Sequence, residues 1–357
     1  MKIYVKFLLI LFLKSLINVF FVMLSLVFVL GILSETEFFS DSEVNALFPV
    51  YLSLMNSPSI IFQMFPFIFL ISTQFFFIKL LNNNEINIFK YSGLKNIKII
   101  SIISLFSFFL GILIITFFYN ISSNLQSYYL KLKSGFSQND EYLAVITKNG
   151  LWIKDIIDGK INIINSSKID QNNLTDTFIT KFDSNYNLIK SIKSDKINIS
   201  NKEWIIYNAT IYENNISKKE EIIKFESNFD KEKIQNLFSN LSSLTILKLL
   251  DLRKNYKSLN YSLTEIDIQI HKIVSYPLYL TLMTILSAVI MLNTKRFNNI
   301  TIKISIGLFL SVIIYYINNF FNVMGITEKV PLVASVWIPL SILIFLNFLM
   351  TLKINEK

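Results

Sequence analysis

Apolar residues in this chain gather into six long runs that no charged residue interrupts: 15–33, 59–78, 99–118, 273–293, 304–323 and 330–352. About 20 helical residues, each rising about 1.5 Å, cross a hydrocarbon core of about 30 Å. The six runs are therefore predicted transmembrane helices. Between Tyr119 and Lys272 no such run occurs, so the order is three spans, a polar insert that folds in water, and three spans. Within the insert, short β-branched and often alternating segments at 143–147, 151–153, 160–164, 178–182, 196–199, 203–207 and 221–225 predict strands. Asn149-Gly150, Asp158-Gly159, Asp183-Ser184-Asn185 and Ser200-Asn201-Lys202 supply turns between them. Many short strands without a long helix among them suit a sandwich, a barrel or a jelly roll. After Asp230 the pattern changes: Leu237, Leu241, Leu244, Leu247 and Leu250 recur near helical spacing, predicting a helical return into span four. Three parts follow: 1–121 with spans one to three, 122–268 with the β-domain and helical return, and 269–357 with spans four to six.

Residues 3–13 are apolar apart from Lys6, and Lys2, Lys6 and Lys14 fall roughly on one helical face. An interfacial helix feeding span one, retained as part of the chain, is the expectation there.

Composition agrees with a membrane protein. Of 357 residues 52% are hydrophobic, and the mean hydropathy is +0.49. The formal charge of +9 comes from Lys and Arg scattered through loops and an Asn-rich insert, which argues against nucleic-acid binding. With no cysteine, disulfides, thiolate metal sites and thiol nucleophiles are excluded. Loop charges set orientation, because short cytoplasmic loops are enriched in Lys and Arg. Lys2, Lys6 and Lys14, then Lys79, Lys90, Lys95 and Lys98, then Lys295, Arg296 and Lys303, then Lys353 and Lys357 all fall on one side if every run spans. The other side has Glu35, Glu37, Asp41 and Glu43 with no Lys or Arg in residues 34–50, and only Glu328 and Lys329 after span five. Both termini are thus expected in the cytoplasm and the insert across the membrane, which in a bacterial inner membrane means the periplasm.

Catalytic chemistry is hard to build from these residues. The single histidine, His271, stands at the edge of span four beside Lys272, near Glu265 and Asp267. A structural interfacial role fits it better than a general base. The zinc motifs lack their second His and their Cys, and none of the eight glycines has a Walker A spacing. The charge-free runs also lack the intramembrane carboxylates that mark ion-coupled carriers. No catalytic residue, metal site or cofactor is expected. The loop 79–98 carries the interest instead: Glu85 is its one carboxylate, and 82–93 reads as a short amphipathic helix. Ile86, Phe89 and the stem of Lys90 lie on one side and Gly93 ends it. Such a helix suits docking into a groove on a partner ATPase better than the competing reading, a surface helix lying on the headgroups.

At these residues the chain resembles the LptF/LptG permease family of the bacterial lipopolysaccharide exporter. Residues 54–93, with Pro58, Pro66, Glu85 and the Ser92-Gly93 pair, resemble the family's span two and coupling helix. Asn149-Gly150-Leu151-Trp152-Ile153-Lys154-Asp155 is similar to the start of the β-domain in LptG members, more than in LptF members. His271-Lys272-Ile273-Val274-Ser275-Tyr276-Pro277 and residues 330–339 are similar to the starts of spans four and six. The resemblance covers nearly the whole chain. It implies an α-helical membrane protein with six transmembrane helices in a 3+3 order and an inserted periplasmic β-jellyroll. It further implies a non-catalytic subunit of an ATP-driven exporter. The expected partners are an LptF-type permease, an LptB-type ATPase dimer and LptC-type and LptA-type periplasmic bridge proteins. The lipid would enter from the outer leaflet and pass into the β-domain, with Glu85, Ile86, Phe89 and Gly93 coupling to the ATPase. Where the family has basic residues at the outer end of span one, this chain has Ser34, Glu35 and Glu37. Lys131 and Lys133 are the nearest candidates for lipid phosphates, or are simply solvated.

Two other classes compete. A force-transmitting ABC permease would place its extramembrane domain after span one, against the three-plus-three order. A membrane-anchored periplasmic lipid receptor would need no coupling helix. The orientation is directly testable in this cysteine-free chain. Single cysteines at Ser200 and Asn149 are expected to react with an impermeant thiol reagent from outside, and those at Asn83 and Asn298 only after permeabilisation; external labelling at Asn83 reverses the topology.

Overall fold

The structure, a computed structural model, describes residues 2–40, 44–134, 136, 151–157, 159–170, 172–213, 216–231, 234, 240–258, 262–292 and 299–355. The chain divides into two compact units, one of Met1–Gln126 with Thr264–Lys357 and the other of Ser127–Leu263. The first unit holds α1 (Ile3–Phe38), α2 (Leu47–Asn82), a short α3 (Glu85–Tyr91), α4 (Asn96–Leu113) and a π-helical turn (Ile114–Tyr119). That turn continues into α5 (Asn120–Ser134), whose later residues belong to the second unit. After the insert come α7 (Thr264–Leu292), α8 (Ile300–Ile326) and α9 (Leu332–Asn355), while α6 (Ile246–Ser258) lies in the second unit.

Among the described residues, six helices are long and apolar enough to cross a membrane. Four of them contain their predicted runs whole, while α7 ends at Leu292 and α9 begins at Leu332, just inside the runs 273–293 and 330–352. α1 and α2 each have 36 residues, because apolar and Ser/Asn residues outside the charge-free runs still satisfy their backbone within the helix. The segment 3–13 is the first part of α1, with no break before span one. The π-helical turn in span three left no sign in the apolar pattern.

In lipid, apolar burial alone does not drive helices together; close packing and interhelical hydrogen bonds do. α2 and α7 form the covered centre, with 61% and 67% of their apolar windows buried, against 22% for α1 and 17% for α8. Phe12 of α1 meets Phe69 and Phe76 of α2 and Phe106 of α4 at ring separations of 6.4, 5.9 and 6.2 Å, mostly edge to face. Contacts of this kind contribute about 0.5–1.5 kcal/mol each. The helix seams are also stitched by polar side chains. Ser53 Oγ donates to Phe28 O (2.9 Å), Thr284 Oγ1 to Ser107 Oγ (3.1 Å), Ser287 Oγ to Leu70 O (2.8 Å) and Asn347 Nδ2 to Leu282 O (3.0 Å). The buried Lys303 of α8 donates to Met291 O (2.9 Å). There the positive charge meets the carbonyl end of α7. At Gly111 of α4 a Cβ would come within 2.8 Å of the Pro277 Cα, so two backbones touch where any larger residue would force them apart.

The second unit contains β1 (Leu151–Ile157), β2 (Lys160–Asp170), β3 (Asn173–Phe182), β4 (Leu188–Asn198), β5 (Glu203–Glu213) and β6 (Ile216–Glu226), antiparallel throughout and ordered β1-β2-β3-β4-β5-β6. The inserted β-domain expected from the sequence is thus present, as a meander of sequential strands. The expected strand at 143–147 lies outside the described residues. Between β1 and β2, Gly159 stands at φ +73°, a conformation glycine adopts without strain. Between β3 and β4, Asp183 accepts from Asn185 N and Asn187 N at 2.9 and 2.8 Å and from Asn187 Nδ2 at 2.9 Å. The bonds from Asn187 first, then that from Asn185, hold the carboxyl below its ordinary pKa.

Strand register resolves which positions face inward. Ile153, Ile164, Ile179, Ile192 and Ile211 stand opposite one another in turn across five strands, and the first four are buried. Leu174, Ile197 and Ile206 form a second buried row. A third row is polar but satisfied: Thr177 Oγ1 donates to Ser166 Oγ (3.1 Å), Ser166 Oγ to Thr175 O (2.7 Å) and Ser194 Oγ to Tyr207 O (2.6 Å).

The segment after β6 crosses back and ties the meander together. Ser227 N donates to Lys202 O (2.8 Å) and Lys231 N to Ile199 O (2.8 Å), at the β4–β5 turn. The buried Trp204 donates its indole N–H to Phe229 O (2.7 Å). Asp155 of β1 is fully buried and accepts from Ser227 Oγ (2.8 Å), Asn228 N (3.1 Å) and Asn228 Nδ2 (2.8 Å). The helical return departs from the expected leucine face: α6 buries Leu249 and Leu252, while Leu247 and Leu250 are exposed and Leu241 belongs to a separate 3-10 turn. The spacing that joined those leucines ran across a helix break at Leu244, whose backbone is extended.

Removing the Asp155 carboxylate strands several buried donors at once, and each hydrogen bond to a charged group contributes about 1.5–3 kcal/mol. Asp155→Ala is therefore expected to lower the urea midpoint of the detergent-solubilised protein, followed by tryptophan fluorescence, by more than Asp155→Asn, which keeps an acceptor. Equal midpoints for wild type and Asp155→Ala would remove the carboxylate from the account of this domain.

Candidate coupling surface

α2 ends at Asn82, and Asn83 and Asn84 reverse the chain, Asn84 in the left-handed region at φ 56°. Asparagine tolerates that conformation better than most residues. α3 then begins with Glu85, a carboxylate in the first turn where the helix dipole favours negative charge. Its end is a Schellman motif: Leu94 N donates to Phe89 O and Gly93 N to Lys90 O, both at 2.9 Å, with Gly93 at φ +79°. A Cβ on Gly93 would meet nothing within 4 Å, so the glycine is required there by backbone conformation and not by space.

The helix is fixed by its apolar side. Ile86 is 5% exposed and joins the core made by α1, α2, α4 and α7, against which Phe89 also packs. Phe89 lies 6.3 Å from the Phe7 ring of α1. Ile86 is therefore spent inside the protein, and Phe89 is shared between that core and the surface. The apolar residues that α3 presents outward are Ile88, 59% exposed, and Tyr91, 92% exposed.

Between α3 and the beginning of α1 lies an open groove of about 830 Å³, lined by Lys2, Ile3, Tyr4 and Phe7 on one wall and Glu85, Ile88 and Phe89 on the other. Glu85 accepts from Asn83 Nδ2 through Oε1 (3.2 Å). Its Oε2 is shielded from solvent and has no hydrogen-bond partner among the described residues. The carboxylate is thus half satisfied, at the edge of an apolar groove that an approaching segment can enter. Of the residues expected to couple, the structure brings Glu85 and Phe89 to the groove, Ile86 into the core and Gly93 to the end of α3; the sequence pointed to these four. It missed the α1 wall, because nothing in the spacing of residues 2–7 says that they fold against residue 89.

The other candidates separate. Lys131 and Lys133 lie two apart on α5 and so do not share a face. Lys131 is exposed, whereas Lys133 is buried, its Nζ 3.0 Å from the Tyr129 hydroxyl and 5.4 Å above that ring. At the far end of α1, Ser34 and Glu37 are exposed and Glu35 is buried. His271 accepts a long hydrogen bond from the Trp337 indole (3.5 Å), joining α7 to α9. Among the described residues no group of His, Cys, Asp or Glu is arranged to hold a metal ion.

Two sets of three helices able to span, interrupted by an antiparallel β-domain and carrying a short helix between spans two and three, define a polytopic membrane protein with an inserted β-domain. Residues 6–353 match the family model described as lipopolysaccharide export system permease LptF/LptG, and the chain belongs to this family. It is accordingly a multi-pass inner-membrane component of a lipopolysaccharide export system, which works with partner subunits. No curated protein matches the chain.

Proposed function

We propose that this chain is the non-catalytic membrane subunit through which an ATP-driven exporter lifts lipopolysaccharide from the outer leaflet of the inner membrane and passes it to a periplasmic bridge. ATP is hydrolysed by an LptB-type dimer bound at the α3 end, which faces the cytoplasm with both termini. An LptF-type permease pairs with the chain along α1 and α8, the two spans least covered by its own helices. LptC-type and LptA-type proteins continue the route beyond the β-domain, which lies in the periplasm. The observation that carries this reading is the family match over residues 6–353, with the open groove between α3 and α1, Glu85 in its lining, as the place where the ATPase docks. In the assembled exporter an ATPase cation pairs with the Glu85 carboxylate, with Ile88 and Tyr91 as the apolar contacts and Ile86, Phe89 and Gly93 holding α3 in place.

In the periplasm the acyl chains enter the apolar interior of the β-domain, whose isoleucine rows, covered by the protein's own residues in the lipid-free chain, are uncovered to receive them. Lys131, exposed on α5, meets a lipid phosphate as a point charge, and Lys133 positions the helix through Tyr129.

Two outcomes are expected. Breaking an interfacial charge pair from one side costs about 2–5 kcal/mol, so Glu85→Lys should insert normally yet lose ATPase copurification and lipid export; wild-type export by this variant would exclude Glu85 from coupling. A photocrosslinking residue at the inward Ile179 should capture lipopolysaccharide only while the ATPase turns over, and Lys131→Ala should weaken that capture while Lys131→Arg restores it. Capture independent of ATP would point to a passive lipid receptor.

A further inference from the structure

α2 stays helical across Pro66. Proline has no N–H, so the carbonyl of Phe62, four residues earlier, loses its helical donor, and the ring crowds that same carbonyl. In hydrocarbon no water replaces the missing donor, and a neighbouring group must do so. Here the Tyr276 hydroxyl of α7 donates to Phe62 O. The two rings also stack, with centroids 4.7 Å apart and an interplanar angle of 18°.

The surroundings of Phe62 are irregular in other helices too. Tyr119, buried and 5.0 Å from the Phe62 ring, is the last residue of the π-helical turn in span three. π-Helical turns are rare and mark places where a helix can change register. Beside Tyr276, Pro277 touches the backbone of α4 at Gly111. A proline in span two, a π turn in span three and a proline in span four thus meet around one aromatic ring. On one side of this point α2 runs from Leu47 to Ile61; on the other it continues through Asn82 and turns directly into α3.

We infer that residues 62–66 form a flexing joint in α2 and that the Tyr276 hydroxyl latches one of its two settings. With the latch made, the α3 half and the far half of α2 move as one rod. When it opens, the α3 half tilts, so a displacement at α3 reaches the far half only in the latched setting. The idea that α3 is displaced by an ATPase rests on the function proposed above; the joint and its latch do not.

The test uses the full chain in lipid nanodiscs, with nitroxides on Leu54→Cys and Asn83→Cys, both exposed positions on either side of the joint, and pulsed electron–electron distance measurement. Loss of one intramembrane hydrogen bond shifts a two-state balance by about threefold to tenfold. Tyr276→Phe, which keeps the stacked ring, is expected to move the distance distribution toward a second population by that factor. Pro66→Ala restores the N–H for Phe62 O and is expected to give one narrow distribution that Tyr276→Phe no longer changes. An unchanged distribution in Tyr276→Phe, or equal broadening by Tyr276→Phe whether or not Pro66→Ala is also present, overturns the latch. The same labels measured in the ATPase-bound complex with and without nucleotide test the coupling reading separately, because the latch is decided by the isolated chain.

Discussion

The constraint on which the helical unit depends is that no backbone carbonyl or N–H can go without a partner in hydrocarbon. Ordinary helical bonds meet it almost everywhere, and the exceptions determine how the helices sit. At Phe62 a tyrosine from α7 replaces the donor that Pro66 removed, and at Met291 a buried lysine from α8 closes the end of α7. Gln74 of α2 adds a further bond to Ile304 O of α8 at 3.3 Å. Each of these bonds fixes the rotation of one helix about another, which smooth apolar surfaces would leave loose. The most covered helices, α2 and α7, are also the ones most involved in such bonds, so the centre of the unit is defined by polar contacts inside an apolar frame.

That division explains what could be read from the sequence. The six spans follow from run length and absence of charge, quantities that neighbours in the fold do not alter. The strands at 151–153, 160–164, 178–182, 203–207 and 221–225 follow from alternation and are all present, although each extends beyond the segment that alternates. Glu85 and Gly93 were legible because a lone carboxylate in a basic loop and a glycine after a short helix each have a local physical meaning. Ile86 and Phe89 were legible as one apolar side, but sequence could not say whether that side faces a partner or the protein's own core. The α1 wall of the groove, the π turn and the Tyr276 contact are non-local, and residue types alone do not pair Tyr276 with Phe62. The leucines after Asp230 misled because their spacing continued through an extended residue, Leu244, that interrupts the helix.

The β-domain solves a different problem. Its inner side must be apolar, its outer side wet, and a meander leaves two edges that need management. The isoleucine rows supply the first property, and the strap after β6 ties the β4–β5 turn to the Asp155 side chain of the edge strand β1. Asp155 illustrates how a motif residue can be read for one purpose and serve another: it belongs to the stretch that resembles the family, yet its carboxylate is wholly occupied in binding the strap to β1. A polar residue with saturated bonds is part of the frame, whereas Glu85, with one oxygen unsatisfied, is open to something else.

Sequential strand order also has a consequence in time. A meander makes nearly all its contacts between neighbours along the chain, which favours fast formation hairpin by hairpin. β1 to β6 can pair before the last three spans have been synthesised. Asp155 cannot join its partners until Ser227 and Asn228 have followed, so the bond between the two ends of the sheet forms after all six strands. Every residue that closes the sheet precedes the fourth span, so the closure waits on nothing from the second half of the helical unit.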